Sequence, residues 1–153
     1  MPAINESRHL PYTAAQMFNL VADVGRYPQF LPWVVATRVR DRTETGMEAD
    51  MLVGFKAIRE KFTSRVELVH AKSVRVHYVD GPLRDLDNLW TFADAPDGWC
   101  DLTFSVDFTF KNMMFEALAG QYIDRAFRKM VAAFEERAAA LYGSSSSSAT
   151  SVA

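Results

Sequence analysis

Apolar and polar residues alternate with a period of two through most of the chain, and a helical period takes over only near the two ends. The clearest run is the last: Cys100, Leu102, Phe104, Val106, Phe108 and Phe110 share one side, while Asp101, Thr103, Ser105, Asp107, Thr109 and Lys111 share the other. Such alternation predicts a strand with one buried and one wet face, as in an antiparallel sheet. The same period runs through Ala49, Met51, Val53 and Phe55, then Phe62, Ser64, Val66 and Leu68. It continues in Val74, Val76 and Tyr78, and in Leu86, Asn88, Trp90 and Phe92. Residues 34–42 and, with poorer alternation, 4–10 are expected to form two further strands. Gly81-Pro82 and Ala95-Pro96-Asp97-Gly98 carry the residues that turns require.

Two helices and a short helical piece complete the pattern. Thr13 and Gln16 have the spacing of a capping box, with Tyr12 and Met17 placed as its hydrophobic staple. The helix that follows turns Met17, Phe18, Val21 and Ala22 to one side, and Gly25 is expected to stop it. Pro28 suits the first position of a short second helix, which Pro32 should end. Asn112 is a good N-cap for a long helix. Its apolar stripe is Phe115, Leu118, Ala119, Tyr122, Ala126, Phe127, Met130, Val131, Phe134, Ala138 and Leu141. Gly143 stands where a C′ residue belongs.

Strands joined by short turns should pair as antiparallel neighbours, and their apolar face needs a cover that the last helix can supply. The expected architecture is therefore α+β: a curved seven-stranded antiparallel sheet around a long C-terminal helix, with two short helices after the first strand. One domain over residues 1–143 is expected, followed by a disordered Ser-rich tail, 144–153.

Composition sharpens this picture at one point. Eleven Phe, five Tyr and three Trp are many for 153 residues, and seven Met add adaptable apolar bulk. Large rings on both facing layers either prop the layers apart around a pocket or simply fill the core; aromatic content does not separate the two. The formal net charge of −2 argues against DNA or other nucleic-acid binding through a strongly basic surface. A single cysteine, Cys100, rules out an intramolecular disulfide or a multi-cysteine metal site. With no targeting segment and no apolar run long enough to span a bilayer, a soluble cytoplasmic protein is expected, touching a membrane only peripherally.

A resemblance then adds to this reading. The residues that carry it are Leu20-Val21-Ala22-Asp23-Val24, Tyr27-Pro28, Phe30-Leu31-Pro32-Trp33 and Phe62-Thr63-Ser64-Arg65-Val66. Gly81-Pro82 ahead of Leu86, Asn88, Trp90 and Phe92, and Ala133-Phe134-Glu135 ahead of Leu141-Tyr142-Gly143, extend it from about Ser7 to Gly143. In these positions the chain resembles the coenzyme Q-binding START-like proteins of the polyketide cyclase/lipid-transport, or helix-grip (START/Bet v1-like), superfamily. It departs in having Val34 where the family often has Cys and Leu83 where it often has Phe. The resemblance implies a hydrophobic tunnel that takes ubiquinone or a related polyisoprenoid lipid as ligand, with no cofactor, in support of respiratory electron transfer. It equally implies two alternatives on the same fold: a ribosome-association toxin, with the ribosome as partner, and an aromatase/cyclase-like enzyme.

The expected wall of such a tunnel is Met51, Val53, Phe55, Phe62, Val66, Trp90, Phe104, Val106, Phe108, Leu118, Tyr122 and Met130, each of which plain core packing would also explain. Ser64, Asn88, Tyr78 and Tyr122 are the inward polar groups that could meet a quinone carbonyl. Phe30, Leu31 and Trp33 could form a lid or a wedge into a membrane interface, as against an ordinary buried turn, and Leu83 replaces a family aromatic near the site. Arg38, Arg40 and Arg42 read better as a solvated strand edge than as a lipid-binding patch. No catalytic residue is expected: His9, His70 and His77 lack metal-ligand spacing, and the inward set holds no Asp, Glu or His for acid–base work.

Overall fold

The computed structural model describes residues 3–143; the Ser-rich tail lies outside the described residues. Seven strands form a single antiparallel sheet: β1 (Ala3–Leu10), β2 (Val34–Thr43), β3 (Gly46–Phe55), β4 (Ile58–Val69), β5 (Ser73–Asp80), β6 (Leu83–Asp94) and β7 (Cys100–Phe110). Their order is β1-β7-β6-β5-β4-β3-β2, so β2 to β7 are successive hairpins and β1 closes on the far side of β7. Between β1 and β2 come helix α1 (Ala14–Ala22) and a 3₁₀ turn, Val24–Gln29. Helix α2 (Met113–Tyr142) follows β7.

Local chemistry fixes the ends of these elements. At α1, the Thr13 side chain accepts from the Gln16 N–H while the Gln16 side chain accepts from the Thr13 N–H, the reciprocal capping box. At α2, Asn112 accepts from the Phe115 N–H at 2.8 Å, and Gly143 ends the helix with φ 82°. One expectation is corrected here. Pro28 does not open a helix but lies inside the 3₁₀ turn, and α1 stops at Ala22, before Gly25. The turn follows its N-cap Asp23 directly, and its tighter winding accommodates Pro28 at its penultimate residue.

The sheet bends because its ladders are interrupted. Register shifts fall between Val34 and Ala36, Arg40 and Thr43, Thr63 and Ser64, and Leu83 and Asp85. Each such irregularity kinks one strand against its neighbour and increases the local twist. At the β5–β6 turn the chain passes so close to β4 and Tyr78 that a Cβ on Gly81 would lie 2.6 Å from the Tyr78 hydroxyl and 3.0 Å from the Lys61 carbonyl oxygen. Only glycine fits there.

The closely packed core sits between α1, α2 and the β1–β7–β6 part of the sheet. Phe104 and Phe108 are each 1% exposed, and Trp90 packs edge-on to Phe104 with ring centroids 4.7 Å apart. The close backbone approaches of α2 are to β7, β1 and α1. Over β3, β4 and β5 the helix stands off, and the inward rings there, such as Phe62, are only half-buried. On the outer face, Arg40 is held by Asp50 and Glu48, and Asp50 also accepts from Thr63. Of the three arginines on this edge, Arg40 is the one paired with carboxylates.

One surface cluster ties β1 to the β6–β7 hairpin. His9 Nδ1 lies 2.6 Å from Asp101 Oδ1 and Nε2 lies 2.7 Å from Asp97 Oδ2, with the ring stacked on Trp99 at 5.0 Å. Both nitrogens face carboxylates, an arrangement that favours the doubly protonated ring, and the Asp101 and Asp97 hydrogen bonds raise the His9 pKa.

Two outcomes are expected. Because the folded-state pKa of His9 is raised, its contribution is complete below the ordinary histidine value and fades as pH rises through the folded value. The melting temperature should therefore fall from mildly acidic to mildly alkaline pH more in the wild type than in His9→Gln; parallel pH profiles would show that the cluster contributes nothing. In urea titrations, Phe104→Ala should cost about 3–5 kcal/mol, as expected for a close-packed ring. Phe62→Ala should cost clearly less, and equal losses would mean that the helix and sheet are packed as tightly over β4 as over β7.

Candidate functional site

Where α2 stands off the sheet, a cavity opens. It encloses about 930 Å³ of space free of atoms, the solvent at its mouth included. The floor is the inward face of β3 to β6: Ala49, Met51 and Val53, then Phe62, Ser64 and Val66, then Val74 and Val76, then Leu86, Asn88 and Trp90. The roof is one stripe of α2, namely Ile123, Ala126, Phe127, Met130 and Phe134. Val24 and Tyr27 from the 3₁₀ turn, and Trp33 beside Gly54, complete the wall.

Ring contacts set the spacing of floor and roof. Phe134 meets Trp90 at 5.0 Å, Tyr27 at 5.3 Å and Phe30 at 5.0 Å, so one helix residue braces β6 and the 3₁₀ turn together. The Arg137 guanidinium lies over Phe30 at 5.0 Å and donates to Gln29, which holds the turn against the helix. Further along, Phe127 rests on Phe108 at 5.0 Å, and Tyr122 stacks on Phe55 at 5.7 Å. Val24, Tyr27, Val74, Trp90 and Phe134 are buried, whereas Phe55, Phe62, Leu86 and Phe127 are half-buried although they face inward. The mouth is therefore at the β3–β4 and β5–β6 end, beneath the first half of α2.

The wall is apolar apart from a few groups whose bonding can be traced. Tyr27 donates to the Val21 carbonyl at 2.5 Å, and burial pushes its phenol well above the usual range, so it is a fixed neutral donor already in use. Asn88 is the buried polar residue among the described residues; its amide donates to the Ser105 carbonyl at 2.9 Å. Ser64 sits beside the register shift in β4 and makes no side-chain hydrogen bond among the described residues. No Asp, Glu, His, Lys, Arg or Cys lines the cavity. Cys100 is buried, and desolvation pushes its thiol up.

The structure divides the residues expected at a ligand. Trp33, Met51, Val53, Phe55, Phe62, Ser64, Val66, Asn88, Trp90 and Met130 are brought together on one cavity. Phe104, Val106 and Phe108 are not at it: β7 lies directly under α2, and these side chains are consumed in the close-packed core. Leu118 is 60% exposed, because α2 turns Ala119 and Ile123 to the sheet and leaves the stripe's edge in solvent. Tyr122 lies at the rim on Phe55, not in the wall. Tyr78 and Leu83 are occupied with each other, the Leu83 N–H donating to the Tyr78 hydroxyl at 2.8 Å beside Gly81. Within the 30–33 segment Leu31 is buried at 1% exposure, Phe30 and Trp33 are half-buried and Pro32 is exposed, and of the four only Trp33 reaches the cavity. Ile123, Ala49, Val74, Val76 and Leu86 line it without having been singled out. The strand residues share the inward parity, and Ile123 is four residues from both Ala119 and Phe127, so the periodicity contained them all.

Three likenesses stand beside this geometry. The chain is 36% identical over 140 residues to the ribosome association toxin RatA of Pseudomonas aeruginosa, covering 92% of this chain and 97% of that protein. It is 33% identical over 143 residues to the mitochondrial coenzyme Q-binding protein COQ10 homolog B of Xenopus laevis, covering 91% of this chain and 59% of that one. The solution structure of an 18 kDa protein from Caulobacter crescentus superimposes with a TM-score of 0.72 at 36% identity, covering 94% of this chain and all of its own. Residues 10–135 match the model of the family described as polyketide cyclase/dehydrase and lipid transport. The helix gripped by a bent seven-stranded sheet and the match along most of its length place this chain in that START-like family.

Proposed function

We propose that the protein is a non-catalytic carrier that holds ubiquinone, or a related polyisoprenoid lipid, in the cavity between α2 and β3–β6. The observation that carries this reading is the wall itself: apolar throughout except for Ser64, Asn88 and the committed Tyr27 hydroxyl, with half-buried rings where it opens. A five-carbon isoprenoid unit buried there gains roughly 3–4 kcal/mol, at about 0.8 kcal/mol per buried carbon. A few units offset the cost of immobilising the ligand. The Ser64 hydroxyl and the second N–H of the Asn88 amide are the donors suited to a quinone carbonyl, with the tail directed to the mouth. The wall's lack of any acid–base pair supports carriage over a cyclase-like reaction. The likeness to a coenzyme Q-binding protein agrees with that choice of ligand.

The likeness to a ribosome association toxin supports a second reading, binding to the ribosome through the outer surface. The two readings separate on one variant. Ala126→Trp places an indole in the cavity from a half-buried helix position. Organic extraction and mass spectrometry of protein purified from its native host should find quinone with the wild type and little or none with Ala126→Trp at unchanged thermal stability. Full quinone occupancy in a folded Ala126→Trp protein, or none in the wild type, overturns the carrier reading. Salt-sensitive ribosome binding that survives the substitution would favour the second.

A further inference from the structure

We infer that the first two turns of α2 are a docking surface for an anionic lipid bilayer, placed to present the cavity mouth to the membrane. Met113 is 84% exposed, Met114 75% and Leu118 60%, which makes this the most exposed cluster of large apolar side chains among the described residues. Nothing in the fold requires them in solvent. The helix already has its inward stripe at Ala119 and Ile123, and its first turn is capped by Asn112.

Position and charge identify the partner. Tyr122, one turn beyond Leu118, stacks on Phe55 at the mouth, and Lys56 lies over the Tyr122 ring at 5.1 Å. Met114, Leu118, Tyr122, Arg125 and Lys129 recur at intervals of three and four residues and so share one side of the helix. That side is apolar at its start and basic further on, so one surface offers both apolar side chains and cations to a partner. Lys111, Arg125 and Lys129 have no ion-pair partner among the described residues, and Arg128 is paired with Asp124. Glu116 is the remaining acidic side chain of this stretch, so residues 111–129 carry a net charge of +2 in a chain of −2. A second protein partner of ordinary surface chemistry would not need both the bare methionines and the unpaired cations. A bilayer of anionic phospholipid uses both, the side chains entering below the headgroups and each cation adding about 1 kcal/mol near the surface.

This surface deepens the carrier reading, and its test is separable from it. The protein is floated with vesicles of phosphatidylcholine, with and without phosphatidylglycerol, at low and high salt. The wild type should bind the anionic vesicles and release them in salt. Met114→Asp with Leu118→Asp, both at exposed positions, should lower vesicle partition by about tenfold or more. Lys111→Glu with Arg125→Glu should weaken binding and remove its salt dependence. Both pairs should still copurify with quinone, since none of the four residues lines the cavity. Undiminished flotation of the aspartate pair, or no flotation of the wild type, overturns the docking surface. So does a wild-type dimer that ignores vesicles and is split by the aspartate pair, which would mark a contact between copies. Normal flotation without quinone would overturn the carrier reading and leave the surface standing.

Discussion

The architecture rests on the ring contacts that hold α2 at a fixed height above the sheet. Aromatic rings are large and stiff, and a protein interior tolerates little mismatch in volume. Phe134 against Trp90 and Tyr27, and Phe127 against Phe108, therefore act as struts. Where the struts stand directly over β6 and β7, the space between them is filled by Phe104, Val106 and Phe108. Beyond them, the bent sheet falls away while the helix runs straight on, and the same rings that close the core leave room over β3 to β5. Core and cavity are thus two ends of one wedge-shaped gap.

The wedge also sorts the polar chemistry. Groups at its narrow end are paired: Tyr27 with the Val21 carbonyl, Asn88 with the Ser105 carbonyl. Tyr78 spends its hydroxyl on the β5–β6 turn, where it fixes the approach of Gly81. What is left for a guest molecule is a wide apolar wall with Ser64 as its uncommitted hydroxyl. Walls of this kind bind by the area they cover and discriminate weakly among apolar shapes.

Much of this was legible in the chain. The period of two in β3 to β7, the Thr13–Gln16 box and the Asn112 cap gave the elements and their order, because each depends on neighbours a few residues away. The inward parity of Met51, Phe62, Val66 and Trp90 likewise placed them on the cavity side. Parity cannot distinguish a residue beneath a close helix from one beneath a distant helix, which is why Phe104, Val106 and Phe108 looked like wall and are core. Nor does a broad helical stripe reveal its rotation. Leu118 lies at its edge, and only the packing of Ala119, Gly120 and Ile123 decides that it faces out. The Phe30–Trp33 segment read as a lid because its rings are unpatterned; their partners, Phe134 and Arg137, lie about a hundred residues away.

The strand order carries a temporal consequence. Strands β3 to β7 each pair with the strand just made, whereas every ladder bond of β1 is to residues of β7. A chain emerging from its N-terminus must hold β1 unpaired until almost the whole meander exists, and α2, the roof, is made last of all. Assembly therefore begins with an uncovered apolar trough and ends with its closure, so the molecule passes, once in its life, through a form in which the whole floor is accessible from above.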